Sequence, residues 1–462
     1  MKKPAPVILA GDDPFQMGRN AAFFAGKRIK VVLKVLSRLE KTLPPLLTER
    51  LRQDIKNAHP NEQSRKEQPE IKGLAISLGV SEDDILWAKK ILQSLASPFC
   101  TNFGAVPPAA SNQDVLISWN FDAPYILRLL MGEFPLFVRK LKGQIPYLCL
   151  GVPGIFGIGI LNAGGLSCVV NAVGLQDDGP GLNPFELNNM AMETCSKVEE
   201  AVAVFKNNPR QATKALTIGM LMNWNMIWAD EYGALSVLEY SHNHFREEKI
   251  PSEGFIASAN HHQFLDRKLT GSFDPESWPP ISGSYSRLAR MRSLLKQNSG
   301  SIDPLRAKSI VSDHIPDYAL LSNFGVRRNW WEDRIDNSTI CAHPWNFLNH
   351  LRKGEFKQGF LEISMSTTLY SIQIQPKKLT TWFTCGHPCR NTCVPLYWGP
   401  YLGAEAEPES ATLGVEDFHK PKSAEEKSDI FGKELGPGKA FLKRAWYALV
   451  SSVEKRNFKG SS

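Results

Sequence analysis

Cys100 is the first residue of this chain whose type and place suggest chemistry. It lies in Ser97-Pro98-Phe99-Cys100-Thr101-Asn102-Phe103, where a helical pattern gives way to strand-like runs. A thiol at such a junction can be a nucleophile, although on residue type alone a buried structural cysteine is the default. A second thiol-rich run, Cys385-Gly-His387-Pro-Cys389-Arg-Asn-Thr-Cys393, has the donor types of a zinc site without the spacing of a ribbon or finger. No metal is expected there. Gly151-Val-Pro-Gly154-Ile-Phe-Gly157-Ile-Gly159 is rich in glycine. It lacks both the Gly-Lys-Ser/Thr ending of a phosphate loop and the dinucleotide fingerprint, which argues against nucleotide binding. His261 and His262 are adjacent, so an extended backbone points them apart, and neither is expected to act as catalyst.

The elements that must position these residues follow from hydrophobic period and punctuation. Ile29, Val32, Leu33, Leu36, Leu39 and Leu43 recur at helical spacing, with Lys27, Lys30, Lys34, Arg38 and Lys41 on another face. That basic stripe reads as a solvated face. Pro44-Pro45 closes the helix, and a polar stretch follows from His59 to Pro69. The Ser81-Glu-Asp-Asp84 cap opens a second helix to Leu95. Beyond Cys100, β-prone runs appear at 114–121, 146–150, 155–161 and 166–173. Asn183-Pro184-Phe-Glu186 then predicts one long helix with Leu187, Met190, Thr194, Val198, Val202 and Phe205 inward. Strands at 226–229, 234–240 and 255–259, helices at 285–297 and 304–313, and a strand pair at 367–375 and 379–385 complete the pattern. Blocks of strands and helices of this kind predict α+β layers, with helices covering sheet faces. Residues 403–438 read as an exposed loop or linker and 440–456 as a tail helix.

The chain has 462 residues, 42% of them hydrophobic and 22% charged, a globular balance. The net charge of +7 is concentrated at the start, because residues 1–56 carry 12 Lys+Arg against 5 Asp+Glu. No basic run is interleaved with aromatics, so nucleic acid is not expected as a partner. The longest uncharged stretch, 143–176, is broken by prolines, asparagines and glycines, and no membrane span is expected. The N-terminus lacks a signal-peptide core, and eight cysteines are too sparse for a disulfide scaffold. A reduced, cytoplasmic protein is the expectation.

Several short segments stand in a telling order. They are Gly11-Asp-Asp-Pro14-Phe-Gln-Met-Gly18, Glu70-Ile-Lys-Gly73-Leu-Ala-Ile-Ser-Leu-Gly79, Cys100-Thr101 and Ser118-Trp-Asn120-Phe-Asp122. Gly159-Ile-Leu-Asn162-Ala-Gly-Gly165-Leu166 with Asn171, Ala259-Asn260-His261-His262, Ser284-Tyr-Ser-Arg287, Ser338-Thr339-Ile340-Cys341 and Gly386-His-Pro388-Cys389 follow. In this order and spacing the chain resembles the acyl-coenzyme A:6-aminopenicillanic acid acyltransferase family. These are self-processing N-terminal-nucleophile (Ntn) hydrolases acting on linear amide C–N bonds.

The resemblance implies a four-layer αββα sandwich, with two antiparallel sheets between helical layers. It implies scission between Phe99 and Cys100, leaving residues 1–99 as a propeptide or small subunit on a catalytic region of residues 100–462. Cys100 would then carry both the thiol nucleophile and an α-amine with a pKa near about 8 that accepts the thiol proton. Asp122 would orient that amine, although its type also suits a strand-end turn, and Asn260 would donate to the oxyanion, although it also suits a loop cap. Thr101, Asn120, Asn162, Asn171 and Thr339 would support the site or bind substrate. The substrate would be a small-molecule amide or acyl thioester, with acyl-CoA as a possible co-substrate and no other cofactor. One position departs from the family: Ala342 stands where an arginine is expected, with Arg327, Arg328 or Arg334 as spatial substitutes. That departure leaves open a second reading, an inactive Ntn-fold homologue serving as a binding or scaffold protein.

Overall fold

Short apolar runs cut by glycine, proline and asparagine suit strands of stacked sheets, and such sheets dominate the middle of the chain. The computed structural model describes residues 6–42, 49, 52, 62–96, 100–111, 114–215, 220–272, 283–315, 339–342 and 366–403. In chain order the first elements are β1 (Val7–Gly11), α1 (Pro14–Thr42), α2 (Glu62–Leu78), α3 (Glu82–Leu95), β2 (Thr101–Ala105), β3 (Leu116–Pro124) and α4 (Tyr125–Met131). They are followed by β4 (Leu136–Leu141), β5 (Tyr147–Val152), β6 (Phe156–Asn162), β7 (Ser167–Leu175), α5 (Pro184–Thr194), α6 (Val198–Asn207), β8 (Thr213–Ala215) and β9 (Met220–Ala229). Next come β10 (Leu235–Tyr240), β11 (Phe245–Lys249), β12 (Phe255–Ser258), α7 (Arg267–Thr270), α8 (Gly283–Gln297) and α9 (Pro304–Val311). The last described elements are β13 (Ser366–Gln375), β14 (Thr380–Cys385), β15 (Val394–Tyr397) and α10 (Gly399–Leu402).

The strands form a nine-stranded sheet, β1-β4-β5-β6-β7-β9-β10-β11 with β8 on β9, and a six-stranded sheet, β12-β2-β3-β13-β14-β15. Strands β2, β3 and β12 face β7, β9 and β10 across the interface between the sheets. Helices α3, α5 and α6 lie on the outer side of the large sheet, and α8 and α9 on the outer side of the small one. The α+β sandwich expected from the sequence is therefore present. The two sheets are dominated by antiparallel pairs, as expected, and β1 joins β4 in parallel. That strand comes from the N-terminal segment and is paired by its backbone to the large sheet.

Alternation along β2 divides its residues between the layers. Phe103 and Ala105 belong to the apolar cluster with Leu288, Met291 and Leu295 of α8, while Asn102 reaches β7 of the opposite sheet. Gly104 lets the sheets approach, since a Cβ there would lie 2.6 Å from Leu235 on β10. The long helix expected after Asn183 is two helices. Its first half ends at Cys195, whose ψ of 146° is extended, and Glu200 caps a new start by accepting from the N–H groups of Ser196 and Lys197. The polar stretch before Gly73 is helical: it forms α2, which the charged, alanine-poor sequence concealed and packing on α1 supports. Phe99, Arg327, Arg328, Arg334 and the expected loop and tail helix beyond Gly403 lie outside the described residues.

Candidate active site

Cys100 immediately precedes β2 and is wholly buried. Beside it run β3, carrying Asn120 and Asp122, and α8, carrying Arg287. The register pairs Thr101 with Asn120 and Asp122 with Thr368 of β13, next to a β-bulge between Thr368 and Tyr370. Bulges of this kind re-aim side chains at the edge of regular pairing.

Arg287 joins three of the separated segments. One guanidinium nitrogen donates to the Cys100 carbonyl at 2.7 Å and to Thr101 Oγ1 at 2.6 Å. The other donates to Asn260 Oδ1 at 2.8 Å. The side chain is buried, and this planar fork is what allows one residue to hold three acceptors in fixed geometry. Burial lowers the Arg287 pKa, which the Asp122 and Cys100 charges oppose. The resemblance included the segment ending at Arg287, but nothing in its type distinguished it from a helix-surface arginine. Only the packing of α8 across β2 gives it this place.

Asp122 accepts from Thr368 Oγ1 at 2.6 Å. Burial raises its pKa to about 7, against the opposing effects of Thr368 and Arg287. The Cys100 thiol is pushed well above its ordinary value, first by burial and then by the Asp122 charge, with the Asp122 backbone amide and the Trp119 side chain acting the other way. Cys100 is thus a neutral thiol beside a carboxyl group that titrates near neutrality.

Asn260 is held from three sides. Its backbone N–H donates to Ser284 Oγ at 2.8 Å, its side-chain nitrogen donates to the Ala172 carbonyl at 2.9 Å, and its side-chain oxygen accepts from Arg287. Ser284 also bonds His261 Nδ1 at 2.7 Å, and the His261 ring lies 4.2 Å from that of Tyr285. Burial depresses His261 to about 3 and His262 to about 4, so both imidazoles are neutral near pH 7.

The supporting residues fall into two groups. Asn120 donates to the Val311 and Ile340 carbonyls at 2.8 and 2.9 Å, tying β3 to α9. Asn171 crosses between the sheets to Asn102 at 2.8 Å. Thr339 bonds the Cys341 carbonyl at 2.9 Å, and the next residue, Ala342, donates its backbone N–H to Thr368 Oγ1 at 2.9 Å. A backbone amide therefore supports Asp122 through Thr368 at the position where the family has an arginine. Asn162 braces the β6–β7 turn through Gly164, Leu166, Met192 and Cys195. The thiol run separates. Cys385 meets Arg128, His387 meets Thr367, and Cys393 meets Gln373.

Comparison with known proteins supports the resemblance over part of the chain. Residues 147–311 match the acyl-coenzyme A:6-aminopenicillanic acid acyl-transferase family model. The matched stretch runs from β5 to α9 and includes Asn162, Asn171, Asn260 and Arg287, whereas Cys100 and Asp122 precede it. Among solved structures the chain is similar to penicillin V acylase from Agrobacterium tumefaciens, with 14% identity over 62% of this chain and 83% of that one, at a TM-score of 0.33. It is also similar to a variant of conjugated bile acid hydrolase from Clostridium perfringens, with 11% identity over 68% of this chain and 98% of that one, at a TM-score of 0.34. No curated protein matches the sequence. No helix among the described residues is long and apolar enough to cross a membrane.

Proposed function

We propose that this chain is a self-processing cysteine amidohydrolase or acyltransferase of the acyl-transferase family. The observation that carries the reading is the Arg287 fork, which holds Cys100, Thr101 and Asn260 in one buried cluster beside Asp122. Such preorganised donors are most effective in a site closed to water.

Processing begins in the uncut chain. Cys100 Sγ loses its proton to Asp122, whose pKa of about 7 suits a general base at neutral pH. The sulfur then attacks the Phe99 carbonyl carbon, the C–N bond to Cys100 breaks, and its nitrogen takes up a proton. Water hydrolyses the resulting thioester, leaving a Phe99 carboxylate, a free thiol and a new α-amine. In the mature site that amine accepts the thiol proton as sulfur attacks the carbonyl of an N-acyl substrate, and Asp122 holds the resulting ammonium. Asn260 donates an N–H to the oxyanion. The substrate amine leaves with the proton, and water or a second amine releases the acyl group from sulfur.

The mass of purified protein under denaturing conditions tests the reading. Two chains, residues 1–99 and 100–462, are expected, together with turnover of an N-acyl amide or acyl thioester. A chain that stays whole on prolonged incubation, and whose Cys100→Ala variant behaves identically, overturns it in favour of a non-catalytic homologue.

A further inference from the structure

The cysteine run that reads as a metal candidate in sequence does not converge, yet one of its members meets two residues from elsewhere. Cys389 Sγ in the β14–β15 turn lies 3.7 Å from Cys341 Sγ. A ring nitrogen of His314, just beyond α9, completes a set of donor atoms all within 4.8 Å of one another. Cys341 is buried, Cys389 half-buried and His314 exposed. We propose that Cys341, Cys389 and His314 bind a thiolate-preferring divalent metal ion, zinc by its ligand chemistry. This site is independent of the acyl-transfer reading.

The geometry favours a metal. Two sulfurs bound to one zinc at about 2.3 Å with tetrahedral angles stand about 3.8 Å apart. The observed separation matches that edge, whereas a disulfide requires sulfurs about 2.05 Å apart. Two thiolates and an imidazole are the ligand types zinc takes most readily, and three protein ligands leave a fourth position for water.

The ligand-bearing backbone is already held. Cys341 N–H donates to the Asp313 carbonyl at 3.1 Å, next to His314. The Asp313 carboxylate is bound twice by Arg290 of α8, at 3.0 and 2.8 Å, and Gly386 N–H anchors the start of the turn to the Leu369 carbonyl at 2.8 Å. The ion would therefore link three chain segments that are far apart in sequence, where a clip has the greatest loop entropy to remove. Binding would release the two thiol protons to solvent, so uptake would strengthen with rising pH.

The test uses the full chain, reduced and carrying Cys100→Ser so that the nucleophile contributes no sulfur. One equivalent of zinc should survive gel filtration, and cobalt(II) in its place should give thiolate-to-metal charge-transfer absorption. Cys341→Ser and Cys389→Ser should each abolish both signals, His314→Ala should weaken retention, and Cys385→Ser and Cys393→Ser should leave it unchanged. Circular dichroism of each variant establishes that it is folded. The half-exposed Cys389 position is decisive if the buried Cys341 variant does not fold. Absence of bound metal in the parent, retention that survives Cys389→Ser, or loss on Cys393→Ser overturns the assignment. Recovery of a Cys341–Cys389 disulfide in place of metal also overturns it.

Discussion

At the scale of single residues the site is an arrangement of groups whose charges are penalised by burial. Asp122 shows this most directly. Its folded-state pKa of about 7 stands above the ordinary 3.8, so the folded uncut chain binds that proton more tightly than the unfolded chain. Stability from this group is complete below pH 3.8 and is lost as the pH rises through about 7. Urea midpoints of Cys100→Ala should fall across this window, and adding Asp122→Asn should flatten the slope. An unchanged slope would place the titration elsewhere. Arg287 makes a second prediction. Replacing it with methionine removes donors from Cys100 and Asn260 and should slow scission about a hundredfold or more, read as the band ratio over time. Arg287→Lys should restore little, since an ammonium cannot span three acceptors as a planar fork does.

At the scale of elements, the N-terminal segment is bound by close packing and by buried charge. Gly18 of α1 and Gly73 of α2 lie where the two helices cross. A Cβ on Gly18 would fall 2.0 Å from the Glu70 carbonyl oxygen, and one on Gly73 would fall 2.2 Å from that of Phe15. The obstacle in both cases is backbone, so Gly18→Ala should cost at least about 1–3 kcal/mol of stability by chemical denaturation, as overpacking does. Glu70 also receives a bidentate pair from Arg139 of β4, with both contacts at 2.8 Å. Lys89 of α3 pairs with Glu67 close by. Glu70→Ala would leave a largely buried guanidinium without its carboxylate and should cost about 1–3 kcal/mol. The double change Glu70→Leu with Arg139→Met should recover most of that loss, whereas equal loss in both variants would show that the helix contact matters more than the charge.

At the scale of the whole molecule, the proposed scission would divide a structure whose N-terminal part already supplies a strand to the large sheet and two glycine-notched helices beside it. Both chains should co-elute in native gel filtration after cleavage and separate only in denaturant, and early release of residues 1–99 would contradict the pairing of β1 with β4. The sequence by itself determined the α+β class, most central strands, the capped starts of α3 and α5, and Cys100 at the handover from helix to strand. Those features depend on local period, punctuation and residue type. It did not resolve the break at Cys195, the helix through the polar stretch before Gly73, or the parallel placement of β1, because each depends on packing against distant elements. The tertiary structure alone decided that Asn162 braces the β6–β7 turn, and that Thr368 and the Ala342 amide support Asp122. It also separated the thiol run and brought Cys389 to Cys341 and His314. The physical reason is common to all of these. A side chain's partners across sheets and layers are set by register and crossing, and no local spacing along the chain encodes either one.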